Sequence, residues 1–167
     1  KLDVKSLITY HYDIEDAVEA YALLDDLSAL GIILNYPKLS REKLKNSKVI
    51  LTESDSIVYD TTKPCVGFVG AGNYASRMLI PAFKEAGAQF HSIATSGGIN
   101  GVIHGEKEGF SEATTDTQAM IDNPNINTVA IVTRHNSHAY FVQEALKAGK
   151  NVFVEKPLAI THEELAD

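Results

Sequence analysis

The amino-acid sequence predicts an α/β fold with a doubly wound parallel sheet and a small N-terminal helix–strand appendage. From Pro64 onward, short apolar runs alternate with helical patterns, which is typical of βαβ units in a parallel sheet. The first of these apolar runs leads directly into the turn "GAGNYA", and a helical pattern follows it. Before Pro64 the pattern differs, because one amphipathic helix is followed by one strand-like run.

Five strands are predicted after Pro64, and most of them are short apolar runs, as expected for strands buried in a parallel sheet. In chain order they are Cys65–Val69, Phe90–Thr95, Glu112–Thr114, Asn127–Val132 and Asn151–Glu155. A doubly wound sheet of this kind has the strand order 3-2-1-4-5-6. Because no sixth strand precedes Asp167, we expect a fragment with a truncated sheet whose fifth strand lies at an open edge.

Helices are predicted between these strands, where apolar residues recur with a period near 3.6. They are Tyr74–Ala86, Asn100–Glu108, Thr117–Ile121 and His138–Ala148. Gly87 and Gly149 follow two of these helices, at positions where a left-handed residue commonly ends a helix. Beyond the fifth strand, Thr161 and Glu164 form a capping-box pattern that predicts a further helix.

The region before Pro64 is predicted to contain an appendage and a linker. In "YDIEDAVEAYALLDDL" apolar residues recur at helical spacing, and Asp13 is placed to cap the helix. "GIILNY", Gly31–Tyr36, is predicted as a strand. Residues 37–63 contain two short β-like runs, "KVIL" and "SIVY", and we interpret them as an interdomain linker. The predicted domains are therefore 1–36, 37–63 and 64–167.

Composition excludes several classes of function. The net charge is −7, which argues against a nucleic-acid partner, because such proteins present a clustered basic face. No apolar run approaches the length that crosses a bilayer, and no segment resembles a signal peptide. We expect no membrane partner and a cytoplasmic location. The single cysteine, Cys65, lies in the first strand and is interpreted as a small buried hydrophobic residue.

The turn "GAGNYA" is the first candidate for a ligand site. Glycines in a strand–turn–helix unit let the backbone approach a pyrophosphate closely, and the first amides of the helix point at it. This arrangement predicts a Rossmann-type, dinucleotide-binding sheet, and the alternative is a tight corner that binds no nucleotide. A small third residue allows the helix to pack on the strand. The residues expected to contact the cofactor here are Gly70, Gly72, Asn73, Tyr74 and Ala75.

The end of the second strand bears on the choice between NAD and NADP. The dinucleotide fingerprint places an acidic residue there to bind the ribose 2′-hydroxyl, whereas this chain has "IATSGG", without a carboxylate. Thr95 and Ser96 would leave space for a 2′-phosphate and could donate hydrogen bonds to it, although no arginine follows immediately. We expect NAD or NADP as the cofactor, with a slight preference for NADP.

Two further motifs follow the fourth and fifth strands. "TRHNSH" covers Thr133 to His138, and "EKP" covers Glu155 to Pro157. Both fall at the carboxyl ends of parallel strands, where open α/β sheets bind their ligands. A histidine at a helix start can cap the helix, contact a cofactor or bind a metal. No metal is expected, because no carboxylate or cysteine is spaced to complete a site.

With "GAGNYA" and "AIVTRHNSHAYFVQEALKAGKNVFVEKPLAIT", residues 64–167 resemble the Gfo/Idh/MocA family of oxidoreductases. The resemblance implies a Rossmann domain followed by a larger substrate domain, which is missing from this sequence. It implies that Lys156 is the catalytic lysine, which supports proton transfer as a hydroxyl becomes a carbonyl, and that Glu155 lies near the nicotinamide ribose. An isolated "EKP" would instead indicate a solvated lysine before a proline.

The chain departs from the family pattern at Arg134, where the family usually has proline. His138 matches the histidine of the family motif, which the resemblance places beside the cofactor, and His135 is additional. Thr133 and Arg134 are also expected to contact the cofactor. For Arg134, stacking on the cofactor or binding an acidic group of the substrate competes with a surface salt bridge.

Residues 1–36 resemble a second family. "KLDVKSLITYHYDIEDAVEAYALL", followed by "ALGIILNYP", is similar to the final helix and strand of a zinc-type medium-chain alcohol dehydrogenase. No residue of this segment corresponds to a zinc ligand or a cofactor loop. Together the two resemblances imply that the chain spans the junction of a fused, two-module oxidoreductase.

The function implied by the main resemblance is hydride transfer between a nicotinamide cofactor and a sugar, inositol or related polyol. We expect this chain alone to be inactive, because the substrate domain is missing. The alternatives are a non-catalytic dinucleotide-sensing module and a structural junction domain. An exposed strand edge invites pairing, so we expect a second copy of the chain, or one of the runs "GIILNY" and "KVIL", to cover the fifth strand.

Overall fold

The computed structural model describes residues 3–37, 46–52 and 59–166. The chain divides into two compact units, Lys1–Asn46 and Ser47–Asp167. Within the described ranges, the first unit contains a sheet of two strands and the second unit a sheet of six.

The first unit is a short β–α–β arrangement. Strand β1 (Tyr10–Asp13) pairs in parallel with β2 (Ile32–Asn35), and helix α1 (Ala17–Ala22) lies between them in the chain, flanked by single 3-10 turns. The predicted strand "GIILNY" is confirmed as Ile32–Asn35, and the predicted helix is present but shorter, at Ala17–Ala22. Strand β1 was not predicted, because its last two residues were assigned to the start of that helix. Asp13 precedes the first turn without making a side-chain cap bond.

The sheet of the second unit has the strand order β3-β6-β5-β4-β7-β8. Its strands are β3 (Lys48–Ile50), β4 (Cys65–Val69), β5 (Gln89–Ala94), β6 (Glu112–Thr114), β7 (Thr128–Ile131) and β8 (Asn151–Val154). Strands β4 to β8 are parallel to one another. Their order is the predicted 3-2-1-4-5, and each agrees with its predicted range to within one residue at either end. The predicted Rossmann-type fold class is confirmed.

Helices connect the parallel strands and follow the last one. They are α2 (Ile80–Glu85), α3 (Ile99–Glu108), α4 (Thr117–Ile121), α5 (His138–Lys147) and α6 (His162–Ala166). A π-helical segment, Ala75–Leu79, leads into α2. The predicted capping box at α6 is present, because the Glu164 amide donates to the Thr161 hydroxyl and the Thr161 amide donates to the Glu164 carboxylate. None of the described helices is long and apolar enough to cross a membrane.

Two apolar clusters pack against the sheet. In the first, the rings of Phe90 and Phe110 stack with their centroids 4.5 Å apart, and Phe68 meets both edge-on at 5.8 Å. The second contains Met120, Ile131 and other aliphatic side chains. Every residue of the central strand β4 is buried, which explains why its sequence is a continuous apolar run rather than an alternating one.

Strand β3 corrects the sequence analysis, which placed "KVIL" in the linker. This strand pairs antiparallel with β6, with Lys48 opposite Thr114 and Ile50 opposite Glu112. The run was recognised as β-like, but its partner strand β6 lies far along the chain, so the local pattern does not indicate that it joins the sheet. Most of the second run, "SIVY", lies outside the described residues.

Strand β8 is the outermost strand on the opposite side of the sheet, and within the described residues it pairs with β7 alone. The expectation that "GIILNY" or "KVIL" covers this edge is wrong. The first run contributes β2, which pairs with β1, and the second contributes β3, which pairs with β6.

Candidate functional site

A cleft of about 1030 Å³ opens at the carboxyl ends of β4, β5, β6 and β7. This volume lies at the upper end of the range for ligand pockets, and the position is the one at which open α/β sheets bind ligands. Half of the residues that the sequence assigned to a site line this cleft: Gly70, Gly72, Thr95, Ser96, Thr133 and Arg134.

Gly70, which directly follows β4, is required by the backbone geometry. Its φ is +107°, and a Cβ at this position would lie 2.8 Å from the carbonyl oxygen of Val132. Its amide donates to the carbonyl of Ala94 at 2.8 Å. The turn is therefore held between the ends of β5 and β7, and no side chain is tolerated at its first position.

Gly72 has a different environment. A Cβ at this position would have no protein atom within 4 Å, and the residue lines the cleft. The helix begins here, since the Ser76 amide donates to the Gly72 carbonyl at 2.9 Å. The first amides of a helix lack intrahelical acceptors and carry partial positive charge. Open backbone at a helix N-terminus fits the pyrophosphate of a dinucleotide.

The next three residues of the motif lie in the first turn of the helix. They are not among the described residues that line the cleft. Ala75 is 1% exposed, as expected for a small residue between helix and sheet. Tyr74 is exposed, and the Asn73 carbonyl accepts a bond from the Ser76 hydroxyl. Any contact of these three with a cofactor would come from backbone groups or from the exposed side chains of Asn73 and Tyr74.

Thr95 and Ser96 follow β5 and begin the wall of the cleft next to the glycine turn. The Thr95 hydroxyl oxygen accepts the Gly98 amide at 3.1 Å, and Gly98, with φ +76°, precedes helix α3. A hydroxyl can accept one hydrogen bond and donate another. The Thr95 O–H can therefore donate to a ligand while its oxygen accepts the Gly98 amide. No carboxylate is among the described residues that line the cleft.

The loop after β7 is held by its own hydrogen bonds. The hydroxyls of Thr133 and Ser137 lie 2.7 Å apart, and the Ser137 hydroxyl donates to the Arg134 carbonyl at 2.9 Å. Arg134 is exposed and is the one charged side chain among the described residues that line the cleft. An arginine surrounded by hydroxyls and backbone amides suits an anionic ligand.

His138 is fully buried at the start of α5. Its Nδ1 lies 2.7 Å from the carbonyl oxygen of Pro157, and its Nε2 lies 3.1 Å from the carbonyl oxygen of Thr133. The ring bridges the loops after β7 and β8, and the expected contact of His138 with the cofactor stays a prediction. The exposed His135 packs edge-on against it, with ring centroids 5.7 Å apart.

Glu155 and Lys156 follow β8. The Glu155 amide extends the pairing with β7 by donating to the Ile131 carbonyl at 3.0 Å. Glu155 is partly exposed and Lys156 is exposed. Neither is among the described residues that line the cleft. Their loop is connected to the cleft through His138, which contacts both Pro157 and Thr133.

Five polar residues that line the cleft were missed by the sequence analysis. Thr115 and Thr117 follow β6, Asn136 and Ser137 lie in the loop after β7, and Asn100 lies in the first turn of α3. The rule that ligands bind at the carboxyl ends of parallel strands would have identified the two threonines. Glu112–Thr114 is predicted as a strand with its observed bounds, so the residues that follow it are candidates by the same rule.

Cys65 lies at the amino end of β4, away from the carboxyl-end cleft. Burial raises the pKa of its thiol to about 11, so the thiolate is scarce at neutral pH and the side chain behaves as a small hydrophobic group. Within the described parts of the chain, no three His, Cys, Asp or Glu side chains form a group that could hold a metal ion.

Comparison with known proteins gives one family and several relatives. The Gfo/Idh/MocA family, described as an oxidoreductase family with an NAD-binding Rossmann fold, matches residues 65–167. A 1,5-anhydro-D-fructose reductase of Ensifer adhaerens is 28% identical over 98 residues, which cover 59% of this chain and 29% of the relative.

Two solved structures are similar in both sequence and fold. A levoglucosan dehydrogenase in complex with NADH has a TM-score of 0.55 and 30% identity, with 61% of this chain and 30% of that chain covered. A biliverdin reductase from Synechocystis sp. PCC 6803, in complex with biliverdin and NADP+, has a TM-score of 0.54 and 32% identity, with 59% and 31% covered. The chain spans less than a third of the length of each of these relatives.

Proposed function

This chain belongs to the Gfo/Idh/MocA oxidoreductase family through residues 65–167, and we propose that it is the NAD(P)-binding domain of an enzyme that oxidises or reduces a sugar, inositol or related polyol. The observation that carries the proposal is the open backbone at Gly72, where a Cβ would meet no protein atom within 4 Å at the start of a helix. The names of the anhydrofructose and levoglucosan relatives support the substrate class.

In the proposed complex, the turn after β4 binds the pyrophosphate. The backbone at Gly70 and Gly72 provides close approach, and the first amides of the following helix donate to phosphate oxygens. Asn73, Tyr74 and Ala75 contribute through that first helical turn. On the other side of the cleft, Thr133 and Arg134 contact the cofactor, or Arg134 binds an acidic group of the substrate.

The nicotinamide ring of the bound cofactor supplies or accepts the hydride. Lys156 exchanges the hydroxyl proton of the substrate as the hydroxyl carbon becomes a carbonyl, or returns it in the reverse reaction. Its exposure suits a group that must reach a substrate held largely by another domain. Glu155, one residue earlier, lies near the nicotinamide ribose. The chain alone binds the cofactor but is inactive, since it spans less than a third of the length of the relatives it matches.

We propose NADP as the preferred cofactor by a small margin. The end of β5 offers hydroxyls at Thr95 and Ser96 and no carboxylate, so a ribose 2′-phosphate would meet donors rather than a negative charge. The relatives include structures with NADH and with NADP+, and they do not favour either cofactor.

The test is calorimetric titration of the chain with NADH and NADPH. We expect both to bind, and a Gly72→Val variant to lose at least about tenfold in affinity, because the added side chain occupies the space in which the pyrophosphate would approach. Ala82→Val, which adds similar bulk to an exposed position of α2, is the matched control and should bind like the parent chain.

Two outcomes would contradict the proposal. If the folded chain binds neither nucleotide, it serves as a structural junction rather than a cofactor-binding domain. If Gly72→Val binds as tightly as the parent chain, the glycine turn does not hold the pyrophosphate.

The remaining assignments are also proposals. The β–α–β arrangement of the first unit supports our interpretation of residues 1–36 as the end of a medium-chain alcohol dehydrogenase module. We propose that the linker lies between this module and the Rossmann domain. We also propose that the protein is located in the cytoplasm. The edge of β8 is proposed to pair with a second copy of the chain, which analytical ultracentrifugation would show as a dimer.

A further inference from the structure

A short segment that precedes the Rossmann core contacts one wall of the cleft. This edge strap, Ser47–Thr52, contains β3 and lies along β6. The Ser47 carbonyl accepts three bonds from residues at the end of β6: from the Thr115 amide at 2.7 Å, the Thr114 hydroxyl at 2.9 Å and the Thr115 hydroxyl at 3.4 Å. Thr115 lines the cleft, so the strap bonds directly to a cleft residue.

The contact continues from Thr115 to the start of α3. A Cβ at Gly98 would lie 3.3 Å from the Thr115 methyl carbon, so the Thr115 methyl group faces the start of α3. The Thr95 amide donates to the Thr114 carbonyl at 3.0 Å, and the Gly98 amide donates to the Thr95 hydroxyl. Hydrogen bonds therefore run from Ser47 through Thr114 and Thr95 to Gly98.

A polar chain anchors the strap at its first strand residue. The Lys48 ammonium lies 2.9 Å from one carboxylate oxygen of Glu112, and the Ser92 hydroxyl donates to the other at 2.7 Å. Ser92 in turn lies 2.6 Å from Nδ1 of His91. Glu112, Ser92 and His91 are all buried. A buried carboxylate needs charged and hydrogen-bonding partners, which Lys48 and Ser92 provide.

An apolar contact anchors the other end of the strap. A Cβ at Gly105 would lie 2.4 Å from the Leu51 Cδ1 atom and 3.1 Å from the Ile93 side chain. Leu51 therefore packs into a notch on α3 that the absence of a side chain at Gly105 leaves open. Its amide donates to the Ser111 carbonyl at 2.9 Å. The strap is held by two chemically independent anchors, and each can be removed by a single substitution.

We propose that the edge strap is a positioning element for the dinucleotide site: it holds Thr115 and the start of α3 in the geometry that binds the adenosine half of the cofactor. The inference rests on the proposed function, because it concerns the affinity of that same cleft. The end of the second parallel strand is where a Rossmann site binds the adenosine ribose, and the strap contacts this side of the cleft. Lys48 and Leu51 act through Thr115 and do not line the cleft.

The test removes each anchor separately and measures ADP-ribose affinity by calorimetry on the full chain. Lys48→Met keeps the aliphatic stem and removes the ammonium, and Leu51→Ala empties the notch at Gly105. We expect each variant to bind ADP-ribose at least about fivefold more weakly. Lys48→Arg keeps the positive charge at this position and should bind ADP-ribose like the parent chain. Lys107→Met makes the same charge change at an exposed position near the far end of α3 and should leave the affinity unchanged.

Amide hydrogen exchange supplies a readout that does not depend on ligand. The Thr115 amide, which donates to Ser47, should exchange faster in Lys48→Met and Leu51→Ala. The Phe68 amide in the buried core reports global unfolding. It should stay protected, which would show that the variants are folded.

The outcomes separate the two proposals. Faster Thr115 exchange together with weaker ADP-ribose binding supports the positioning role. Parent-like exchange of Thr115, or unchanged affinity despite faster exchange, overturns it. If the parent chain binds none of ADP-ribose, NADH and NADPH, the proposed function fails, and Thr115 exchange alone then decides whether the strap holds this wall.

Discussion

The two sides of the cleft are built in different ways. On the side of β4 and β5, the loops depend on backbone conformation, with φ +107° at Gly70 and +76° at Gly98. On the side of β7 and β8, the loops depend on side-chain hydrogen bonds, which join Thr133 to both Ser137 and His138. The first construction needs particular residue types at single positions, whereas the second needs groups from distant loops to meet.

This difference bears on the proposed function. A turn made of backbone presents amide donors at fixed positions, which suits binding of a pyrophosphate that is common to NAD and NADP. The side with the His138 bridge joins the loop that carries Arg134 to the loop that carries Lys156, so a movement of one loop is transmitted to the other. We therefore expect substitutions on the first side to act locally and those on the second to affect both loops.

The largest effect is expected at Gly70. A Gly70→Val substitution combines a strained positive φ with a clash against the Val132 carbonyl, and we expect the free energy of unfolding to fall by about 4 kcal/mol. Gly72→Val, two residues away in open space, should change the free energy of unfolding by less than about 1 kcal/mol. Urea denaturation measures both, and equal losses would show that the two glycines do not differ in role.

The next effect is expected at His138. A His138→Phe substitution removes the ring nitrogens that lie within hydrogen-bond distance of the partly buried carbonyls of Pro157 and Thr133, and we expect a loss of about 2 to 3 kcal/mol in the free energy of unfolding. The exposed His135 on the same turn is the matched control, and His135→Phe should cost less than about 0.5 kcal/mol. In His138→Phe, faster amide exchange in the loop after β7 alone, with parent-like exchange around Pro157, would contradict the bridging role.

The sequence predicts the backbone-built side well. The motif around Gly70 and Gly72 follows an apolar strand, and the positive φ of Gly70 is a local reason for glycine, so position and role can be inferred together even though the clash partner Val132 lies far along the chain. The five parallel strands were also predicted with accurate bounds, because a central strand such as β4 is apolar at each position. Local rules are sufficient wherever a neighbouring residue supplies the constraint.

The other side could not be predicted in the same way. The motif "TRHNSH" indicated that His138 is functional, but its partners are carbonyls in two loops, which no residue type encodes. The strap was missed for a similar reason, since Lys48 gains its partner Glu112 only when β3 pairs with β6. Contacts between segments distant in the sequence decide these roles, and a single sequence contains no direct signal for them.

A smaller effect is expected from pH, through the second buried histidine. Burial lowers the pKa of His91; the neighbouring Glu112 carboxylate opposes this shift and Lys48 adds to it. Between the lowered folded value and the ordinary unfolded value near 6.5, the unfolded state binds more protons, so stability falls as the pH falls through that window. The slope contributed by one such group cannot exceed about 1.4 kcal/mol per pH unit.

His91→Gln is the variant that isolates this contribution. Urea denaturation of the parent chain and the variant between pH 7.5 and about 5 should give a flatter dependence for the variant, because carboxylates titrate mainly below this range. The groups packed around His91 are Ser92, Asn123, Tyr59 and Glu112, and they remain in the variant. Parallel curves for the two proteins would mean that His91 does not cause the loss.

The smallest effect tests whether the β7 and β8 side acts as one unit. Ser137→Ala removes the hydroxyl contacts with Thr133 and Arg134 but keeps the Ser137 amide bond to the Arg134 carbonyl at 3.1 Å, so we expect a loss of about 0.5 to 1 kcal/mol. His138→Phe removes the other bond to Thr133. If Thr133 couples the two contacts, the double variant should deviate from additivity by about 0.5 kcal/mol or more. Additive losses would show two independent contacts, and the contrast between the two sides of the cleft would then reduce to the His138 bridge alone.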